Sequence, residues 1–446
     1  MSSDMISIAA SGAKAARAAL DITAQNIANA STDGYVRRTV DLSEMSAVDS
    51  RASYGDVSQF GVRVTGIIRN ADAFLQSEVR RTNADATRAD TLVSGLTNLN
   101  DAVENSGVFS SITTYQTALS KLTASPTDSS LRANVVEAAR TMAQSFNVAH
   151  ASLASAQSGQ QQNASAGVAQ MNDLATNLAQ LNLRISSDTD PQNNRATLLD
   201  QRDSILQQMS TLGDIKTTFS DNHTVKVTMG GASPITLADT DGTTNTLAMA
   251  TSASDGTISF TLGGSALTLS GGSLAGQQQV LTSAATANTT LNGIADALMS
   301  AVNTNQTSGA DLTGATGTAM FSGSGAGGMT LALTSGSQLA TAPSGSAAKS
   351  QIATNLTSLQ SSLSSVDIAG QMNDLMFSLS SAVAGNTTTR DALQSIASNA
   401  KTTLATQAGV DLDTETANLV RYQQAFQASG KVIQVSSTLF DQLLRL

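Results

Sequence analysis

Residues 412–444 read LDTETANLVRYQQAFQASGKVIQVSSTLFDQLL, and their spacing decides the architecture of the chain. Leu412, Leu419, Phe426, Ile433 and Phe440 recur every seven residues, flanked by Tyr422, Val432, Leu439 and Leu443. This period lines apolar side chains along one face of a long helix and makes a seam of the coiled-coil kind. The first thirty residues carry the same signal more weakly. Ile6, Ala13, Leu20 and Ile27 occupy one seam position, and Ala9, Ala16 and Ala30 the other. Neither helix can bury its stripe alone, so the two ends are expected to pair with each other, with neighbouring subunits, or with both. Packing of both helices onto one ordinary globular domain is the plainer alternative, because heptads also occur in soluble helices.

Between the ends the period changes twice. From about Ala71 to Leu212 the chain reads helical, around Phe74–Val103, Leu131–Ala156 and Val168–Ile185, with Pro126 and Pro191 as breaks and a further helix from Leu198 to Leu212 before Gly213. From about Asp214 to Ala285 the period falls to two. Val225, Val227 and Met229 alternate with polar residues, as do Ile258, Phe260 and Leu262, then Leu267 and Leu269. Asp241-Gly242, Asp255-Gly256, Gly263-Gly264 and Gly271-Gly272 supply the turns. Residues 307–350, rich in Gly, Ser, Thr and Ala, read as loops or an irregular lobe, and the fold of 285–345 is left open. Helical period resumes from Ser350.

The expected fold is mainly α with an inserted antiparallel β domain, its terminal helices paired as a coiled coil. Residues 1–65 with 405–446 form the terminal helical domain and its connecting segment. Residues 66–212 with 346–404 form a helical rod-like domain, and 213–345 a β-rich outer domain with Gly/Ser-rich loops.

Composition narrows the function. The 446 residues are 40% hydrophobic but only 3% aromatic, without Trp, and only 13% charged. Cores of Ala, Leu, Val and Ile suit closely apposed helices better than ligand pockets, which are commonly lined by aromatic rings. A net charge of −10 argues against a nucleic-acid partner. The absence of Cys rules out disulfides and thiolate metal sites. No apolar run reaches the 18 or more residues a membrane helix needs. Asp4, Lys14, Arg17 and Asp21 interrupt Met1–Ala30, so no ordinary cleavable signal is read there.

Residues able to carry chemistry are few. His150 and His223 are the two histidines, one in a helical stretch and one beside the turn at Asp221-Asn222, and neither has a positioned partner set. Asp239-Thr240-Asp241-Gly242 starts like a calcium loop but lacks the downstream Glu, and reads as a β-turn. The Gly-rich run at 323–328 lacks a following Lys-Ser or Lys-Thr and fails as a phosphate loop. Ser11-Gly12-Ala13-Lys14 has Ser-x-x-Lys spacing without its companion motifs. Asp411 and Asp413 sit where carboxylates cap a helix. No catalytic, cofactor-binding or metal residue is assigned.

Two motifs resemble a known family. Ala24-Gln25-Asn26-Ile27-Ala28-Asn29-Ala30-Ser31-Thr32-Asp33-Gly34-Tyr35 resembles the N-terminal signature of flagellar rod, hook and hook-associated axial proteins. Gly409-Val410-Asp411-Leu412-Asp413, Glu415 and Asn418-Leu419-Val420-Arg421-Tyr422-Gln423-Gln424-Ala425-Phe426 resemble its C-terminal one. Tyr35-Val36-Arg37-Arg38, Gly61-Val62-Arg63-Val64 with Arg69, and Leu198-Leu199-Asp200-Gln201-Arg202-Asp203 are similar to the hook-associated branch. Asp33 stands where the family usually has Pro and Gly430 where Ala is usual; the glycine costs an interior helix position roughly 1 kcal/mol.

The resemblance implies a structural, non-enzymatic subunit joining hook to filament, exported by the type III route and located in the extracellular flagellum. It implies as partners further copies of itself, the hook protein, a second junction protein and an export chaperone on the C-terminal helix; no nucleic acid, membrane or cofactor is implied. Candidate assembly residues are Ile6, Leu20, Ile27, Leu412, Leu419, Phe426, Ile433 and Phe440. Motif residues are Asn26, Asn29, Gly34, Tyr35, Asp200, Arg202, Asp203 and Gln423. The alternatives are another axial protein, second-junction or filament-like, or a secreted wall-degrading enzyme.

Overall fold

The computed structural model describes residues 2–32, 34–45, 61–188, 193–231 and 233–444. Asp33 and Pro191 lie outside the described residues. The chain divides into two compact units: Met1–Asp85 with Gln170–Leu247 and Gln394–Leu446, and Ala86–Ala169 with Ala248–Leu393.

In the first unit, helix α1 (Ser2–Ala28) packs along the C-terminal helix, α10 (Leu412–Leu444), as the sequence expects. Strands β1 (Arg38–Met45) and β2 (Gly61–Arg69) form an antiparallel hairpin against α1, with Arg38 opposite Arg69 and a register shift at Asp41/Leu42. Helix α5 (Asn193–Leu212) contacts β2 and leads into the antiparallel sheet β3 (Ile215–Phe219), β4 (Val225–Met229) and β5 (Ile235–Ala238). The alternation read from the sequence is real: Val225, Val227 and Met229 are fully buried and Lys226 and Thr228 partly exposed. Asn182 pins this sheet, accepting the Val225 N–H at 3.1 Å and donating to the carbonyls of Val225 at 2.8 Å and Asp239 at 3.0 Å.

The second unit holds the large apolar core. It is built by α2 (Ala73–Glu104, from Leu92), α3 (Val108–Ala124), α4 (Ser129–Ser187, to Leu153), α6 (Gly272–Ser308), α8 (Thr354–Val366) and α9 (Ile368–Ala408, to Leu379). Small residues let these helices meet closely, since a Cβ added at Gly95 would lie 2.3 Å from Val280. The sheet of β6 (Leu247–Thr251), β7 (Ile258–Leu262) and β8 (Ser265–Leu267) precedes α6. After α6 come two small pairings, β9 (Gly309–Ala310) with β12 (Ala342–Pro343) and β10 (Phe321–Ser322) with β11 (Thr330–Leu331), around the short α7 (Gly325–Gly328).

Helix α6 corrects the expectation of β period to Ala285 inside a β-rich 213–345. The first run of strands ends at Leu267, and 37 helical residues follow from Gly272 before the short strands β9 to β12. Leu274, Leu281, Leu291, Leu298 and Val302 along it are buried, a helical spacing that the intervening Thr, Asn and Ala obscure. Residues 309–343 are the irregular lobe that their composition suggests.

Asp72, Asp128 and Asp411 cap α2, α4 and α10 by accepting first-turn backbone N–H groups. Gly430 is exposed in the middle of α10, with nothing within 4 Å of a Cβ built on it. Gly430→Ala is therefore expected to stabilise the helix by about 0.5–1 kcal/mol. A higher urea midpoint for the helix-pair transition, read by circular dichroism, checks this.

Candidate functional site

The terminal helix pair is the first part of the site. On α1, Ala9, Ala16, Ala19, Ile22, Thr23 and Asn26 are buried, while Ile6, Leu20 and Ile27 are half-buried along the edge of that arc. On α10 the buried line runs through Glu415 and Ser436, with Tyr422 and Ser429 half-buried between them. Ser429 Oγ sits 3.3 Å from where a Cβ on Gly12 would be, so the helices approach through small residues.

The apolar heptad seam expected at the centre of this pair is instead displaced to its flank. Leu412, Phe426 and Phe440 are 51, 43 and 48% exposed, and only Leu419 and Ile433 are half-buried. Val420, Val432, Val435 and Leu439 are exposed as well. The physical reason is size. Ala, Gly and Ser on the facing sides allow an approach that Leu and Phe would prevent, and the large side chains fall outside it.

The second part is a buried ionic hub at the base of the pair. Asn26, at the end of α1, uses its whole amide: Nδ2 donates to the Arg38 carbonyl at 2.8 Å and to Glu415 Oε2 at 3.1 Å, and Oδ1 accepts from Tyr35 Oη at 2.9 Å and the Arg38 N–H at 3.0 Å. Arg37 Nε donates to Glu415 Oε1 at 2.7 Å. Arg38 reaches Asp200 Oδ2 at 2.5 Å and lies over the Tyr35 ring. Arg69 bridges Asp200 at 2.7 Å and Asp203 at 2.8 Å. Arg202 donates to Asp203 Oδ1 and to the His223 carbonyl, stacked 4.6 Å from the Phe219 ring centre. Gln76 and Arg80 close the cluster, on Asp203 and Thr217.

The charges in the hub are tuned by burial and by one another. Burial pushes the Asp203 carboxyl up, but Arg202 and Arg69 together outweigh it and leave it below its usual 3.8. Burial draws Arg80 down to about 10, so it is charged at neutral pH. Tyr35 is raised by burial, with Asp200 and Glu415 adding to the effect against Arg38.

A depressed carboxyl favours the fold fully above its unfolded pKa and loses that contribution as pH falls through its lower folded value. The Asp203 contribution is thus present at neutral pH and begins to decline once pH falls below about 4. Asp203→Asn is expected to be less stable than wild type at pH 7, with the difference shrinking below pH 4. Urea midpoints across that range test it.

Every motif residue has a placement. Asn26, Tyr35, Asp200, Arg202 and Asp203 meet in the hub, while Gly34 turns the chain into it at φ 76°, a conformation that other residues adopt only with strain. Asn29 closes the end of α1 by donating to the Gln25 carbonyl, and Gln423 is exposed on α10 and takes no part. Glu415, Arg37, Arg38 and Arg69 also belong to the hub and lie within the motifs, but nothing in their local sequence sets them apart from neighbouring charges such as Asp411, Asp413, Asp41 and Arg63.

The other candidates are structural. Ser11 bridges the Ile8 carbonyl and the Val62 N–H, and Asp241 accepts from Thr243 in a turn. His150 faces Asn288 at 3.0 Å, and His223 is a positive-φ turn residue. Among the described residues no His, Cys, Asp and Glu are grouped to hold a metal, and no helix is long and apolar enough to cross a membrane.

The two chain ends that form the helix pair both match models of flagellar axial proteins. Residues 6–35 match the model for flagella basal body rod proteins, and residues 405–446 the C-terminal model of flagellar basal body rod FlgEFG proteins. Between them, residues 93–321, half of the chain, match the helical domain of the flagellar hook-associated protein FlgK, and the chain belongs to that family.

Among curated relatives, flagellar hook-associated protein 1 of Bacillus subtilis is 30% identical over 213 residues, covering 46% of this chain and 42% of the relative. That of Salmonella typhimurium is 28% identical over 233 residues, covering 51 and 41%. The matches thus span less than half the length of these relatives. A solved structure of the flagellar hook junction protein FlgK from Burkholderia pseudomallei aligns over 55% of this chain and 46% of its own, at 25% identity and a TM-score of 0.49.

Proposed function

We propose that this protein is a structural subunit of the bacterial flagellum that joins hook to filament as part of a tubular axial layer. The observation that carries the reading is the FlgK helical-domain match over residues 93–321, set between rod-type matches at both ends. The large apolar side chains left on the outside of α10 support it physically. Leu412, Val420, Phe426, Val432, Val435, Leu439 and Phe440 are all exposed on one helix, and burial against neighbouring copies would remove them from water. A tube of identical subunits needs such unlike faces, so that one copy's outer stripe meets a different surface of the next.

On this reading Ile6, Leu20, Ile27, Leu412, Leu419, Phe426, Ile433 and Phe440 are assembly positions on the flanks of the pair. The partners are further copies of the chain, the hook protein and a second junction protein. An export chaperone covers the stripe of α10 before assembly. The protein is exported by the type III route, works in the extracellular flagellum and catalyses nothing.

Deleting the gene is expected to leave hooks without filaments and flagellin in the medium. Electron microscopy reads the result. The full chain restores filaments, whereas one lacking residues 412–446 does not. Normal filaments in the deletion strain, with no second copy of the gene, refute the junction role.

A further inference from the structure

The hub falls into two halves that share no carboxylate. In one, Asp200 and Asp203 of α5 hold Arg38, Arg69 and Arg202, which fixes the β1–β2 hairpin on α5. In the other, Glu415 in the first turn of α10 takes Arg37 and Asn26, which lie 378 and 389 positions earlier in the chain. Glu415 is 1% exposed. Asn26 in turn fixes the Arg38 N–H and the Tyr35 hydroxyl. The junction between α9 and α10 rests on the same segment, with the Arg37 N–H donating to the Ala408 carbonyl at 3.0 Å and Asn70 Nδ2 to that of Gln407 at 2.8 Å.

We propose that Glu415 is a positioning residue that latches the two ends of the chain together: docking of the first turn of α10 sets the path of residues 26–32 and 34–38, while the hairpin beyond Arg38 stays fixed on α5 without it. The Asn26 amide is the relay. Its two donors and two acceptors are all used, and Glu415→Gln would offer Asn26 and Arg37 one neutral acceptor oxygen where the carboxylate offers two charged ones, which weakens the hold on the carboxamide that orients Arg38 and Tyr35. The other half keeps every one of its ion pairs. Ordering at the C-terminal end is thereby transmitted to the exit of the N-terminal helix and stops there. This goes beyond the assembly role and does not depend on it.

Residue-resolved amide hydrogen exchange on the full chain, comparing wild type with Glu415→Gln, tests the latch. The expected result is exchange about tenfold faster or more at the Arg37 and Arg38 amides and over Asn26–Ala30, the size set by loss of a hydrogen bond to a buried charge. The β1 amides from Thr39 onward, those of β2, and α5 remain within about twofold of wild type. Arg37→Gln, which keeps the Asn26–Glu415 bond, is the milder companion. It is expected to loosen the same amides by a smaller factor and serves if Glu415→Gln does not fold. An unchanged Arg38 amide in a folded variant overturns the proposal. So does loosening that spreads equally to the hairpin and α5, or a wild-type Arg38 amide with no protection.

Discussion

Asp200→Ala is expected to destabilise the folded chain by about 3–5 kcal/mol, the range for removing one partner of a buried ion pair. Asp200 neutralises two guanidinium groups at once, Arg38 and Arg69, and both are about 6% exposed. Removing its carboxylate takes an ion-pair partner from Arg38, which lies over Tyr35, and from Arg69, whose remaining carboxylate, Asp203, is shared with Arg202 and Gln76. The cost therefore comes from under-compensated positive charge more than from lost packing. Urea unfolding followed by circular dichroism measures it. Adding Arg38→Met to Asp200→Ala should recover part of the loss. A change below about 1 kcal/mol for Asp200→Ala, or no recovery in the double variant, would show that water reaches these groups and that the hub is not a buried network.

Arg132→Met is the second large effect, expected at about 3–5 kcal/mol in the second unit, as for a buried network that loses its centre. Arg132 is 1% exposed and has no salt-bridge partner among the described residues. It spends its guanidinium on the carbonyls of Pro126 at 2.5 Å, Gly336 at 2.8 Å, Ser337 at 3.4 Å and Leu339, and on Thr341 Oγ1 at 3.1 Å. One side chain thus ties the turn before α4 to the loop at 336–341. Methionine matches its length and apolar stem but takes the guanidinium donor from the carbonyls of the buried Pro126 and Leu339, while those of Gly336 and Ser337 keep the Leu339 and Leu312 N–H groups. Lysine, with three donors on one nitrogen, is expected to recover only a minor part. Urea midpoints of both variants decide this, and equal stability of the lysine and wild-type proteins would contradict it.

Much of the fold was legible because its signals are local. The seven-residue recurrence from Leu412 to Phe440 and the small-residue heptads before Ala30 give two long terminal helices that meet. Alternation at Val225, Val227 and Met229 and at Ile258, Phe260 and Leu262 gives antiparallel strands. Helix α6 was missed because its apolar residues are diluted by Thr and Asn that hydrogen-bond back along the helix, as Thr282, Thr286 and Thr290 do. The hub was legible only in part. Asn26 and Asp200–Asp203 stand out within motifs, but the connection of Glu415 to Arg37 crosses almost the whole chain and leaves no periodic trace.

What the sequence by itself determined, then, is the class of this protein: a mainly helical chain with two seam-forming ends, antiparallel strands between them and the motifs of the flagellar axial family. Periodicity encodes these features because a helix or strand repeats its own geometry every few residues. The tertiary structure decided which face of each terminal helix is buried. The small residues Gly12 and Ser429 permit close approach there, and Phe426 and Phe440 are turned out to solvent. It also decided that Arg38, Arg69, Asp200 and Asp203 compensate one another. Charge pairing depends on distances of a few ångströms between side chains that are far apart in sequence, and only the folded chain fixes those.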